Sequence, residues 1–261
     1  MAAPVDAART TYNGSTSSTS HSPSLAGLGT ISAGDYLVAL LRCPTSTTSI
    51  SISGWTPVAE TTSDGSTGPD RTALFVKVAA GSDTASVTLG TAGRLAGIFW
   101  RVTGADTYVV SSVATGSNAA PDSPALTHSA ETRDVLTFTL GGQEDTRTVT
   151  TTPTNYTNTA SVSNTGGATN TNCTVFGATR GQTGITSENP GAWTMSATEN
   201  WAVWTLTVYT AAPKIRVTQQ TAQVLAKPDD TKIRVTQQFA MVLVTPLILA
   251  GEGKSRFWIM E

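Results

Sequence analysis

Residues 72–103 read TALFVKVAAGSDTASVTLGTAGRLAGIFWRVT. Within them, Thr72 to Ala79, Ala85 to Leu89 and Ala96 to Thr103 are apolar runs rich in β-branched and aromatic residues, separated by short polar segments. Runs of that length bounded by turn residues are strands, whereas a helix needs a longer stretch with apolar residues three and four apart. The same texture extends both ways. Towards the N-terminus it predicts strands at Asp35 to Cys43, Thr48 to Ser53 and Trp55 to Glu60. Towards the C-terminus it predicts Tyr108 to Ser112, Val135 to Leu140, Arg147 to Thr151, Cys173 to Ala178, Ala192 to Ala197 and Trp201 to Tyr209. Ser63-Asp64-Gly65, Gly68-Pro69-Asp70, Gly141-Gly142 and Asn189-Pro190-Gly191 supply the turns between them. About twelve short strands with no crossover helix predict an all-β fold: an antiparallel β-sandwich of jelly-roll type over residues 31–211.

Two flanking regions differ from this body. Residues 1–30 are rich in Ser, Thr and Gly and read as a leader, either flexible or extended on a partner. After the short linker Thr210-Ala211-Ala212-Pro213, residues 212–261 read as a C-terminal arm of extended β-strands. There KIRVTQQTAQVL (Lys214 to Leu225) recurs as KIRVTQQFAMVL (Lys232 to Leu243), with ten of twelve residues identical at a spacing of 18. Side chains alternate between the faces of a strand. One face, Arg216, Thr218, Gln220, Ala222 and Val224, is therefore repeated unchanged as Arg234, Thr236, Gln238, Ala240 and Val242. Both differences, Thr221 against Phe239 and Gln223 against Met241, fall on the other face. Such copies suit addition to a sheet edge twice over, with the second copy the more buried. A recent tandem duplication that has not diverged is the other reading of the same identity. Near the terminus, Phe257 and Trp258 are apolar anchors with no reason to exist unless they dock. The expected partner-binding residues are thus Arg216, Thr218, Gln220, Arg234, Thr236, Gln238, Phe239, Met241, Phe257 and Trp258.

Charge divides along the same boundary. Residues 214–261 carry seven Lys or Arg against four acids, a net of +3, which leaves nine bases and fourteen acids in 1–213, a net of −5. The arm is complementary to its own body or to an acidic neighbour, and its positive charge is too sparse for nucleic acid. No signal peptide opens the chain, and the longest apolar run, Phe239 to Ala250, is broken by Thr245 and Pro246 and is too short to cross a bilayer. The expectation is a chain made soluble in the cytoplasm, with no membrane partner.

Residues that carry chemistry are few. Cys43 and Cys173 stand alone in strand-like runs and read as buried thiols, and His21 and His128 are the only histidines. No Cys or His spacing fits a metal, and no phosphate-binding glycine signature is present, so no cofactor is expected. Paired carboxylates could come from distant strands. Glu60, Asp64, Asp70, Glu131, Asp134, Glu144, Asp145 and Glu188 are the candidates, and most sit beside Gly, Ser or Thr, where a solvated turn acid is expected. Trp55, Trp100, Trp193, Trp201 and Trp204 lie in apolar runs and are expected in the core; exposed, they would instead be platforms for sugar stacking. The polar stretch Thr152 to Asn172 reads as a long surface loop where binding would be placed.

The series Gly54-Trp55-Thr56, then ALFVKVAAG at 73–81, SVTL at 86–89 and IFWRVTGA at 98–105 resembles β-sandwich domains of structural proteins of tailed bacteriophages. RVTQ followed by an apolar Val-Leu pair is similar to short repeats appended to such virion proteins. The resemblance covers about residues 31–110 and 214–243 and carries over no catalytic residue. It implies a non-enzymatic virion component, such as a capsid decoration, neck or tail-fibre protein, assembled in the host cytoplasm. Its expected partners are other virion proteins and copies of itself, a trimer being one such homo-oligomer. A carbohydrate-binding module for host surface glycan, using the 152–172 loop and exposed aromatics, is the alternative, and a glycan-cleaving enzyme is a more distant third.

Overall fold

The computed structural model describes residues 3–44, 49–65, 68–128, 132–167 and 171–210, with the backbone alone at 63–65, 68 and 69. Two six-stranded antiparallel sheets form the body. The first takes strands β1 (Val5–His21), β2 (Tyr36–Cys43), β3 (Ile50–Ile52), β4 (Thr56–Gly65), β5 (Gly68–Val78) and β6 (Val87–Thr103). They lie in the order β1-β6-β2-β5-β4, with β3 beside the first residues of β6. The second takes β7 (Thr107–Val110), β8 (Ala114–Asn118), β9 (Arg133–Glu144), β10 (Thr157–Ser163), β11 (Cys173–Ile185) and β12 (Glu199–Tyr209). Their order is β10-β11-β9-β12, with β7 and β8 sharing the far edge of β12. Shorter ribbons, such as Val149–Thr151 with Thr194–Met195, lie outside the second sheet.

The sheets meet face to face. Tyr36, Val38, Leu40, Ile98 and Trp100 from one pack with Leu136, Phe138, Leu140, Trp204 and Leu206 from the other in a single core. The antiparallel sandwich expected from the alternation is present. The jelly-roll connectivity is not, because each sheet is built from one contiguous half of the body and, among the described residues, the passage between them is at residues 104–106. A jelly roll would send successive strands back and forth between sheets. Here the strands of each half find their partners within that half, so its order is complete before the chain crosses.

All eight residues of β2 are buried, which explains why its run is apolar on both faces. Its outer face, Leu37, Ala39, Leu41 and Cys43, is covered by a second core with Leu25, Leu28, Trp55, Val87 and Phe99. In the second sheet the outer layer is more polar. Phe176, Trp193 and Trp201 pack there, and Thr139 accepts a hydrogen bond from the Trp193 indole at 2.8 Å. Backbones approach closely where glycine stands. A Cβ on Gly177 would lie 2.8 Å from the Trp100 ring and 2.9 Å from Leu140. Gly177→Ala should therefore lower stability by about 1–3 kcal/mol, read as a shifted urea midpoint; an unchanged midpoint would show that the two sheets can part at no cost.

The N-terminal leader is corrected: Val5–His21 is a 17-residue strand hydrogen-bonded along β6. Of the two readings, flexible or extended on a partner, neither holds as stated: the segment is extended, but along its own body. His21 is buried, accepting from the Tyr12 hydroxyl at Nδ1 (3.1 Å) and donating from Nε2 to the Gly93 carbonyl (3.0 Å). The stretch 152–172 is also not one loop, since β10 runs through it and Tyr156 is buried. Polar composition hid both strands because each draws its stability from a partner strand rather than from its own apolar residues.

Candidate functional site

All ten expected partner-binding residues, Arg216 to Trp258, lie outside the described residues, as do both copies of the repeat. The surfaces that the described body could offer a partner are its sheet edges, its outer layers and its charged groups.

Each edge is interrupted. Strand β4 shifts register between Pro57 and Ala59, and Pro57 has no N–H to offer a further strand. Strand β10 shifts between Thr157 and Ala160. On the opposite edges, β1 shifts register at Gly14 to Ser18, and β7 and β8 are separated by Ser111 to Val113. Bulges and breaks of this kind blunt an edge against pairing with another chain. Exposed apolar side chains are correspondingly sparse: Val5, Val78 and Val113 are the large ones among the described residues.

Five tryptophans, Trp55, Trp100, Trp193, Trp201 and Trp204, are each at most 7% exposed, so none can stack on a sugar. That places them in the core, as their apolar surroundings led one to expect. Cys43 and Cys173 are buried and form no disulfide. Burial pushes the Cys173 thiol well above its ordinary range. His128 is also buried, its ring 6.0 Å from that of Tyr209, and burial together with the nearby Arg133 charge lowers its pKa. Among the described residues no three His, Cys, Asp or Glu side chains cluster as a metal would need.

The carboxylates depart from expectation. Asp70, Glu144, Asp145 and Glu188 are buried rather than solvated. Arg42, itself fully buried, donates to Asp70 Oδ2 and to Thr72 Oγ1, both at 2.7 Å. Burial outweighs this partner, and the Asp70 carboxyl is pushed up to about 6, with Glu144 adding to the rise. The Gly141-Gly142 pair is strand backbone rather than a turn, and a Cβ at Gly142 would sit 2.7 Å from Arg42 Cδ, so this glycine makes room for the Arg42 side chain between the sheets. Glu144 accepts from Asn200 at 3.1 Å. Arg147 joins Asp145 (3.0 Å) and Glu199. Glu188 accepts from Tyr156 (3.2 Å), Arg180 (2.9 Å) and Gln182 (2.6 Å). Glu60 is paired with Arg71 at 2.7 Å. Asp64 and Glu131 lie outside the described side chains. Asp70 and Glu144 are matched by Arg42 and Asn200 from distant strands, which local composition does not reveal, whereas Asp145 and Glu188 also find bases nearby in the chain, Arg147 and Arg180.

One shallow groove of about 610 Å³ opens on the outer layer of the first sheet, between Ser22 to Ile31 and Gly81 to Ser86. Its one carboxylate, Asp83, is already engaged by Lys77 (2.7 Å) and by the Ala80 and Gly81 amides (2.9 and 3.1 Å). Burial opposes ionisation there, but these hydrogen bonds hold the Asp83 carboxyl below its ordinary value. The ionisable groups of the body thus work mainly on one another, tying strand to strand. Comparison with protein-family models, curated proteins and solved structures gives no match to this chain.

Proposed function

We propose that this chain is a non-enzymatic structural component of a tailed-bacteriophage particle, assembled in the host cytoplasm and held in place by its C-terminal repeats through strand addition. The observation that carries the reading is the duplication itself: a face of Arg, Thr, Gln, Ala and Val repeated unchanged 18 residues on suits two equivalent contacts. The body supports it indirectly. The sheet edges of the body are interrupted by register shifts, which favours an acceptor strand supplied by another virion protein. The buried tryptophans weigh against glycan stacking.

Deleting residues 212–261 should leave a body with native near-ultraviolet dichroism that no longer enters particles. Incorporation of the truncated body at the wild-type level would end the attachment reading. Within the arm, Phe239→Thr with Met241→Gln turns the second copy into the first. It should weaken incorporation more than the reciprocal change, Thr221→Phe with Gln223→Met, because the second copy is the one assigned the buried position.

A further inference from the structure

The two sheets follow one plan. Lettering the main strands of each half in chain order, the first half runs β1, β2, β4, β5, β6 and stacks them first-fifth-second-fourth-third. The second half runs β7 with β8, then β9, β10, β11, β12, and stacks them in the same order. We infer that the body is one module of about 100 residues present twice, and that the module's inner face is a docking surface whose partner is a second copy of the same module.

Local details that strand order alone does not require repeat in both halves. The third strand carries its bulge at the same place. Thr56 pairs with Val76 and Ala59 with Leu74, three residues against two; Thr157 pairs with Thr179 and Ala160 with Gly177, again three against two. Just before that strand, Gly54 and Asn155 both take the left-handed conformation, with φ of 74° and 68°. The aromatic that follows each closes a turn, Trp55 N–H to Ile52 and Tyr156 N–H to Pro153, both at 3.1 Å, and each ring is buried in its own sheet's outer layer. An outer ribbon recurs: Ile50 pairs with Leu89, and Val149 with Met195. Each is prolonged by one more bond, Gly90 N–H to Ser49 (3.0 Å) and Ser196 N–H to Thr148 (2.9 Å). Gly14 lies opposite Leu95 as Gly116 lies opposite Trp201, and a Cβ on either glycine would collide with a neighbouring side chain. A basic residue on the fourth strand meets an acid in the following segment twice, Lys77 with Asp83 and Arg180 with Glu188.

Faint sequence echoes sit at these constrained places: Ser-Pro-Ser-Leu at 22–25 with Ser-Pro-Ala-Leu at 123–126, Asn-Gly-Ser at 13–15 with Thr-Gly-Ser at 115–117, and Trp-Thr at 55–56 with Tyr-Thr at 156–157. The contact between the halves also uses matching positions. Tyr36, Val38 and Leu40 on the second strand of one module correspond to Leu136, Phe138 and Leu140 on the other, and all six lie in the shared core. Ala59 and Ala160, matched by the bulge, both reach it. The same patch therefore serves on both sides, which is the signature of an isologous, two-fold contact.

A two-fold relation makes a geometric prediction. The three residues 104–106 lead from Thr103, at the end of β6, to Thr107, at the start of β7. The symmetric path leads from Tyr209, at the end of β12, to Val5, at the start of β1, and the same three residues should span it. The test is a permuted chain running 107–209, Gly-Ala-Asp, 5–103, then 210–261, which omits residues 1–4, beside a chain of native order with a protease site inserted at 104–106. The permutant is expected to keep the native near-ultraviolet spectrum and a single cooperative urea transition. The cleaved chain is expected to stay together, with a midpoint that now rises with protein concentration. An unfolded permutant beside an intact cleaved chain would refute the two-fold relation. Separation of the cleaved halves without denaturant would refute the self-docking inner face.

Discussion

Arg42→Met is expected to lower stability by about 3–5 kcal/mol at pH 7, because it leaves the Asp70 carboxylate buried without its partner. The loss should shrink as the pH falls. In the intact protein, burial already lifts Asp70 to about 6, against 3.8 for an ordinary aspartate. Between those values the native state holds a proton that the unfolded chain has released, so on this group's account stability falls as pH rises from about 4 to 6 and is level above. Without Arg42 the native carboxyl moves higher still, and the falling limb extends through pH 7. Acidification then relieves the variant by protonating the stranded acid. Urea midpoints at pH 5, 6 and 7 for the variant and wild type should converge towards pH 5. Adding Asp70→Asn to the variant should remove most of the variant's own fall in stability between pH 5 and 7. A loss equal at all three values would mean that Arg42 acts through its packed stem against Gly142 rather than through its charge.

Trp100→Ala should cost about as much, roughly 3–5 kcal/mol, for a different reason. Trp100 is fully buried at the interface of the sheets, 5.7 Å from the Phe138 ring centroid and against Gly177. Glycine at 177 leaves no side chain on that strand to fill the void, so collapse is limited. The indole nitrogen has no hydrogen-bond partner among the described residues, so Trp100→Phe removes no bond and should cost clearly less than the alanine. Calorimetry should show the alanine variant melting well below the phenylalanine one. Equal melting temperatures would mean that the sheets close over the cavity.

Much of the sandwich was legible because the runs around Leu37, Phe75, Phe99, Phe138 and Trp204 carry enough apolar surface to announce a strand wherever they pair. Strands β1 and β10 were not, since STSSTS and TNTASVS carry little apolar surface and are defined by the neighbours that accept their backbone bonds. The ion pairs escaped for the same reason: Arg42 and Asp70, or Arg147 and Glu199, are far apart in the chain and become partners only once strands align. The internal repetition of the body was harder still. Its constant features are backbone features, a bulge, a left-handed residue and a turn, and these tolerate Gly or Asn and Trp or Tyr alike. Core positions meanwhile exchanged freely, as Val38 and Phe138 illustrate. The C-terminal copies show the opposite pattern, residue identity in plain view, and both lie outside the described residues.

The exit point of the arm has a mechanical consequence. Strand β12, from which it leaves, is not an edge: β9 flanks it from Trp201 to Tyr209, and β7 and β8 flank it on the other side. Ladder hydrogen bonds run across the strand direction. Tension entering through the arm along β12 is therefore borne in shear by both ladders at once, instead of peeling one bond after another as it would from an outer strand. Were the arm to act as the proposed tether, the body would resist unfolding under load more strongly than its equilibrium stability alone would indicate.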